Sequence, residues 1–227
     1  MPLEVIYEDN HLIAVNKRSG DIVQGDKTGD EPLSEKVKTY LKEKYDKPGN
    51  VFCGVIHRLD RPVSGVVLFA KTSKALSRMN ELFRTRDVQK LYWAIVKEKP
   101  RKDQDTLVNY LIKDEKNNRS KAVSADNKNA LKCELNYEVI AKTDNYYLLE
   151  VLPLTGRHHQ IRVQLAAMGC PIKGDLKYGF ARSNKDGSIS LHARKLIFEH
   201  PVSKEKIEIV AGPPDEVVWN ACAEAVK

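Results

Sequence analysis

The chain has 227 residues, of which 41% are hydrophobic and 30% are charged, enough apolar sequence for one sizeable core or at most two small ones. No run approaches the roughly 18 apolar residues that a membrane helix requires. Residues 1–9 also lack the basic and apolar segments of a signal peptide, so a cytoplasmic protein is expected. The net charge of +7 is compatible with a nucleic-acid partner but does not by itself select one.

The first half of the chain alternates short apolar runs with two amphipathic segments. These patterns predict, in chain order, strands at 3–7 and 11–16, a helix at 34–45, strands at 51–56 and 65–70, a helix at 73–86 and a strand at 90–96. The polar stretch 57–64 is then a loop held between two apolar strands.

The second half begins with a polar stretch, 97–132, that predicts a hairpin with an exposed, mobile tip. Further patterns predict strands at 135–140 and 146–152, a helix at 156–167, strands near 190–198 and 205–210, and a closing helix at 214–226. Strands outnumber helices and occur in adjacent runs. The expected fold class is therefore α+β, a single domain over 1–227 with a large mixed, mostly antiparallel sheet flanked by helices.

The loop at 57–65 carries the first polar cluster, His57-Arg58-Leu59-Asp60-Arg61-Pro62-Val63-Ser64-Gly65. Loops on rigid strands commonly hold catalytic groups, and the two arginines beside Asp60 favour its ionised form. From the local sequence alone, a turn aspartate capped by neighbouring arginines is the more frequent explanation.

The second cluster is Leu154-Thr155-Gly156-Arg157-His158-His159-Gln160-Ile161-Arg162. Thr155 and Gly156 suit a helix start, where exposed N–H groups favour anions such as phosphate. On such a helix His158 and Arg162 would face the same side. A solvated basic face explains the pattern about as well.

The third cluster is Lys173-Gly174-Asp175-Leu176-Lys177-Tyr178-Gly179, followed by Leu191-His192-Ala193. The glycines indicate a tight loop, but alone the motif is weak. His192, in an apolar run, is more typical of a core histidine than of a catalyst.

Together the clusters resemble the RluA-type RNA pseudouridine synthases. The family motif H-R-L-D-x-x-T-S-G is matched at 57–60 and 64–65, G-R-x-H-Q-I-R at 156–157 and 159–162, P-I-x-G-D-x-x-Y-G at 171–179, and K-x-Y-x-A at 90–94. The motifs occur in the family order and span nearly the whole chain. The resemblance implies the pseudouridine synthase fold and isomerisation of uridine to its C5-glycoside in tRNA or rRNA.

The resemblance also implies residue roles. Asp60 becomes the catalytic carboxylate, which attacks C1′ or removes a proton from C2′, Arg162 its charge partner, and Tyr92 the ring that stacks on the target uracil. For Tyr92, a core tyrosine on a strand is the alternative. The remaining residues expected to contact RNA are Arg58, His57, Arg157, His159, Gln160 and Tyr178. Arg58 is the candidate for holding the flipped nucleotide or filling the space it leaves.

Three departures bear on substrate preference. Arg61-Pro62-Val63 stands where the family commonly has R-D-T, Arg18 where a proline is frequent, and His158 where Thr or Ser is common. The synthase-like sequence begins at about residue 3, so no separate N-terminal S4 RNA-binding module is expected.

Other classes find little support. The four cysteines form no C-x-x-C pair, which argues against a zinc ribbon or a zinc deaminase, and no glycine-rich nucleotide loop occurs. We expect no metal, no organic cofactor, no membrane partner, and a monomer. The remaining alternative is a non-catalytic RNA-binding or RNA-folding protein that retains the fold.

Overall fold

The computed structural model describes residues 3–226, and within that range the chain forms eleven strands and four α-helices. The chain divides into two compact units. The first comprises the chain up to Lys90 together with Ala193–Gly212, and the second comprises Leu91–His192 together with the chain from Pro213 onward. That the whole chain is one catalytic domain stays a prediction.

The secondary structure elements are numbered in chain order. The strands are β1 (Val5–Glu8), β2 (Leu12–Lys17), β3 (Gly54–Val55), β4 (Ser64–Ala70), β5 (Gln89–Val96), β6 (Gln104–Asp114), β7 (Arg119–Val123), β8 (Leu131–Lys142), β9 (Tyr147–Pro153), β10 (Leu191–Glu199) and β11 (Lys206–Val210). The helices are α1 (Leu33–Lys44), α2 (Ser73–Thr85), α3 (Gln160–Ala167) and α4 (Val217–Glu224). A short 3-10 helix covers Leu176–Tyr178.

The first unit is a sheet covered on both faces. Strands β2 and β4 pair antiparallel from Leu12 opposite Ala70 to Lys17 opposite Gly65. Because side chains alternate along a strand, Ile13 and Val15 pack against α1, whereas Leu12 and Ala14 belong to the cluster that includes α2. Burial on both faces explains why these strands are almost continuously apolar.

Gly65 in β4 lies very close to the backbone of Ala193, which belongs to the same unit. Its φ is +115°, and a Cβ atom there would lie 2.3 Å from the carbonyl oxygen of Ala193. Only glycine fits both the backbone conformation and the space, so the Ser64-Gly65 end of the motif has a structural reason.

The second unit is an antiparallel meander in the order β5-β9-β8-β6-β7. One part of its core joins Trp93 and Ile95 of β5 with Trp219 and Cys222 of α4. Another joins Val163 of α3 with Leu111, Cys133 and Tyr178. Helix α3 is thereby fixed against the sheet, and with it the second polar cluster.

The expected α+β class is confirmed, and the strongly periodic segments follow the prediction closely. Helix α1 begins one residue before the expected range, and α2 is capped by Thr72, whose side chain accepts a hydrogen bond from the Ala75 N–H at 3.1 Å. The polar stretch after β5 does contain the expected hairpin, formed by β6 and β7. No helix among residues 3–226 is long and apolar enough to cross a membrane.

Three predicted boundaries are wrong. The strand expected over 51–56 is reduced to Gly54–Val55, and the closing helix begins only at Val217, because the preceding residue Glu216 is extended. Helix α3 begins at Gln160 and not at 156. Since His158 precedes the helix, the prediction that it shares a helical face with Arg162 is wrong as well.

Candidate active site

Asp60 lies on the loop between β3 and β4, and this loop is tied to the end of β2. The Val63 N–H donates to the Asp60 carbonyl at 3.0 Å, closing a turn, and the Gly20 N–H donates to the Arg61 carbonyl at 2.9 Å. The Asp60 side chain is partly exposed and that of Arg58 is exposed. The loop therefore presents both residues from a braced backbone.

Lys17, which lies outside the three polar clusters of the sequence, is the main brace. It is 1% exposed, and its Nζ donates to the carbonyls of Val63 at 2.7 Å, Arg18 at 3.0 Å and Arg61 at 3.1 Å. Burial lowers the pKa of Lys17 to about 8, against the opposing effect of the Asp21 and Asp60 carboxylates. A buried ammonium thus binds two carbonyls of the loop just after Asp60, those of Arg61 and Val63.

A signal for Lys17 was present in the sequence. Alternation along β2 places position 17 on the same side as Ile13 and Val15, both of which are fully buried. A lysine at such a position needs polar partners, and here the loop carbonyls provide them.

His57 supports the start of the same loop. Its Nε2 accepts the Leu68 N–H at 3.0 Å, and its ring stacks on Phe83 with centroids 5.0 Å apart. Burial, reinforced by the charge of Lys90, lowers the pKa of His57 to about 3. The ring is therefore neutral, with its proton on Nδ1. Its assignment to RNA binding stays a prediction.

In the second unit, Arg162 is held in a buried network. The residue is 5% exposed, and its Nε and Nη2 donate to the two carboxylate oxygens of Asp175 at 2.7 and 2.9 Å. Its guanidinium also lies over the Tyr178 ring, 5.0 Å from the centroid. A bidentate pair of this kind fixes both position and plane.

His159 completes this network with a defined tautomer. The Arg162 Nη1 lies 3.1 Å from His159 Nε2, and since arginine only donates, Nε2 must accept. The proton is therefore on Nδ1, which lies 2.8 Å from the Tyr178 hydroxyl. That hydroxyl also accepts the Ser120 N–H at 2.9 Å, and burial raises the pKa of Tyr178.

Gln160 has a local structural task. Its Oε1 accepts from the Thr155 hydroxyl at 2.7 Å and from the Arg157 N–H at 3.0 Å, while its Nε2 donates to the Glu134 carbonyl at 3.0 Å. These bonds shape residues 155–159 as a turn ahead of α3. The Arg157 side chain itself is exposed.

Tyr92 lies on β5 opposite Val151 of β9 and is partly exposed. Alternation puts it on the face of the strand away from Trp93 and Ile95, which pack into the core. The same face also carries Ala94 and Val96, both fully buried, so Tyr92 lies at the more exposed end of a face that is otherwise core. Its stacking on a uracil stays a prediction.

The structure thus gathers the predicted residues into two groups. The Asp60 loop carries His57, Arg58 and Asp60, and the Arg162 network joins Arg162, His159 and Tyr178. Asp175 was noted only as part of a glycine-bracketed loop, yet it forms a buried ion pair with Arg162. Among residues 3–226 no group of three or more His, Cys, Asp or Glu is arranged to hold a metal ion.

The family model for RNA pseudouridylate synthase matches residues 11–167. The chain belongs to this family. The matched range includes Asp60, Tyr92 and Arg162, whereas Asp175 and Tyr178 lie beyond it.

Relatives of this family resemble the chain over most of its length. It is 35% identical over 230 residues to the tRNA pseudouridine synthase C of Pasteurella multocida, covering 93% of this chain and 92% of that protein. It is 33% identical to the ribosomal large subunit pseudouridine synthase C of Vibrio cholerae, covering 91% of this chain but 64% of that protein. The chain thus spans less than two thirds of the length of this second relative.

Solved structures of the family share the fold. Human RNA Pseudouridylate Synthase Domain Containing 4 superposes with a TM-score of 0.80 at 24% identity, covering 98% of this chain and 92% of that one. Human RNA Pseudouridylate Synthase Domain Containing 1 gives a TM-score of 0.75, also at 24% identity, over 97% of this chain and 87% of that one. The pseudouridine synthase fold expected from the motifs is confirmed.

Proposed function

We propose that this protein isomerises specific uridines of tRNA or rRNA to pseudouridine. The observation that carries the proposal is the aspartate of the family sequence H-R-L-D, Asp60, on a loop braced by the buried Lys17. Relatives that act on tRNA and on ribosomal RNA, by their names, support both substrate classes.

The proposed reaction breaks the N1–C1′ bond, turns the uracil and forms a C5–C1′ bond. The C5 proton is released and N1 gains a proton, so the isomerisation is redox-neutral and calls for no organic cofactor. Asp60 either adds to C1′ or removes the C2′ proton, and both routes need its ionised form. One carboxylate suffices, because no sugar is transferred to water.

Three further residues are assigned roles at the target uridine. Arg162 pairs with Asp60 in this proposal, and Tyr92 stacks on the target uracil, a contact worth roughly 1–3 kcal/mol. Arg58, exposed beside Asp60, holds the flipped nucleotide.

The remaining residues in the proposal contact the RNA. They are His57, Arg157, His159, Gln160 and Tyr178. In this proposal the protein acts as a monomer in the cytoplasm and uses no metal ion.

The test uses unmodified tRNA and rRNA transcripts that carry tritium at uridine C5. We expect wild type to release the label, and Asp60→Asn to reduce the rate at least about 100-fold, the usual weight of a residue that moves a proton or forms a covalent bond. The matched control is Asp26→Asn, an exposed loop aspartate of the same unit, which should keep wild-type activity. RNA binding without release by wild type would favour the non-catalytic alternative, and full activity of Asp60→Asn would overturn the assignment.

A further inference from the structure

The second unit contains a pocket of about 690 Å³ that no predicted site residue lines. We name it the Phe180 pocket and define it by its functional lining, Lys97, Glu98, Tyr146, Lys173, Phe180 and Arg182. Its volume falls within the range of small-ligand sites, roughly 300–1,000 Å³. The pocket is thus large enough for one nucleotide.

The lining carries three cations and one carboxylate. Lys97, Lys173 and Arg182 form no ion pair within 4.0 Å with any residue that the structure describes, although Lys173 and Asp186 interact electrostatically. Lys173 Nζ donates to the Asn184 side-chain oxygen at 2.5 Å, which leaves two of its three donors available. Unpaired cations around a concave surface favour an anionic ligand such as phosphate.

The floor of the pocket is rigid. Asn184 is buried, and its Nδ2 donates to the hydroxyls of Ser188 at 3.1 Å and Ser190 at 3.4 Å. Gly174 has a φ of +87°, and a Cβ there would lie 2.7 Å from the Ser188 carbonyl oxygen. A preformed site loses less entropy when its ligand binds.

Two aromatic rings accompany the cations. Tyr146 and Phe180 are both partly exposed at the pocket. Cations that follow a phosphate backbone, together with rings on which bases stack, are the combination that binds single-stranded nucleic acid. An inorganic anion alone would not use the rings.

One short segment also connects the pocket with the Arg162 network. Asp175 binds Arg162 through its side chain, while its carbonyl accepts the Phe180 N–H at 3.0 Å. Tyr178 contacts His159, and two residues later Phe180 lines the pocket. One short segment therefore serves both places.

We propose that the Phe180 pocket holds one unpaired nucleotide of the substrate RNA other than the target uridine. Its base stacks on Phe180, and its phosphate contacts Lys97, Lys173 and Arg182. The inference rests on the proposed function for the identity of the RNA, but the pocket is tested by binding as well as by turnover.

The experiment compares the double variant K97Q/R182Q and the single variant F180A with wild type. Lys173 is left unchanged because it supports Asn184. The matched control is K185Q, an exposed lysine of the same loop that does not line the pocket. Melting temperatures check that all variants fold.

For K97Q/R182Q we expect KM for the RNA to rise about tenfold with kcat unchanged. The slope of log K against log salt should shrink by at most about 0.7, since the pocket holds a single phosphate and each single-strand phosphate contact contributes about 0.7. F180A should weaken binding at least about fivefold with no change in that slope, and F180W should restore it.

Two results would overturn the proposal. One is binding by K97Q/R182Q equal to that of K185Q. The other is a loss with the cation variant but none with F180A, which would mean that no base occupies the pocket. If wild type releases no tritium, the proposed function fails, while the binding comparison still decides the pocket.

Discussion

Substitution of Asp175 tests what the buried Arg162–Asp175 ion pair contributes to stability and to catalysis. Asp175 is 1% exposed, and both of its carboxylate oxygens accept from Arg162, at 2.7 and 2.9 Å. In Asp175→Asn one carboxylate oxygen becomes an NH₂ group. This group is a hydrogen-bond donor, so it faces an N–H donor of the guanidinium and one hydrogen bond is lost. The substitution keeps the volume and removes the charge.

Removing one partner of a buried ion pair destabilises a protein by about 3–5 kcal/mol, because the remaining charge stays desolvated. In a chain of this size each kcal/mol lowers Tm by about 2–4 °C. We therefore expect Asp175→Asn to lower Tm by roughly 6–20 °C. Urea unfolding followed by circular dichroism gives the free energy directly, and Asp103→Asn, an exposed aspartate, should change it by less than about 0.5 kcal/mol.

The same variant is expected to lower kcat by about 10- to 100-fold with little change in KM, at a temperature where it is folded, because a misdirected guanidinium no longer supports the reacting groups. A double variant, Asp175→Leu with Arg162→Met, should recover stability but not activity, since an apolar pair of similar volume replaces the buried charges. The reasoning fails if Asp175→Asn unfolds within 1 kcal/mol of wild type and turns over at the wild-type rate.

Two further predictions concern the Asp60 loop. Lys17→Met leaves the loop carbonyls without their donor, so it should lower the free energy of unfolding by at least about 2 kcal/mol and reduce tritium release; a fully stable and active variant would show that the ammonium is dispensable. The pKa of His57 falls to about 3 on folding, whereas histidine in the unfolded chain keeps its ordinary pKa of about 6.5. Between these two pH values the unfolded chain therefore binds one proton more than the folded protein. Stability should therefore decline as pH falls from 7 to 5, by up to about 1.4 kcal/mol per pH unit. Urea melts of His57→Gln should lack this component, and an identical slope in the variant would contradict it.

Apolar periodicity was sufficient to predict the elements that build each unit. Helices α1 and α2 lie close to their expected ranges, because the spacing of their buried residues matches the helical period. Strand β5 also lies close to its range, although its last four residues are all buried. Strand β3 did not follow, since only Gly54 and Val55 pair with β4 although the apolar run is longer. An apolar run predicts burial more reliably than it predicts backbone pairing.

The start of α3 was missed because a side chain replaced helical hydrogen bonding. Gln160 accepts from the Thr155 hydroxyl and the Arg157 N–H, and His159 adopts a φ of +54° in the left-handed region. Such local side-chain bonds compete with the first turn of a helix. The helix propensities of Thr155 and Gly156 do not predict these side-chain hydrogen bonds.

Among the site residues, the sequence could indicate types and order but not partners. The burial of Lys17 follows from alternation along β2, whereas two of its three carbonyl acceptors, those of Arg61 and Val63, belong to a loop some 45 residues later. Asp175 and Arg162 lie 13 residues apart on different elements, so no local period relates them. Partnerships of this kind depend on tertiary packing.

The Arg162 network is better explained by orientation than by stability. A buried ion pair is seldom more stabilising than an apolar pair of the same volume. Yet here two carboxylate oxygens of Asp175, a ring nitrogen of His159 and the face of Tyr178 all act on one guanidinium. These contacts set its direction before any substrate binds, and a charge that is already oriented needs no reorganisation as the reaction proceeds. It follows that Asp175 acts through Arg162 as a positioning residue, and that a conservative change at Asp175 should affect kcat more than KM.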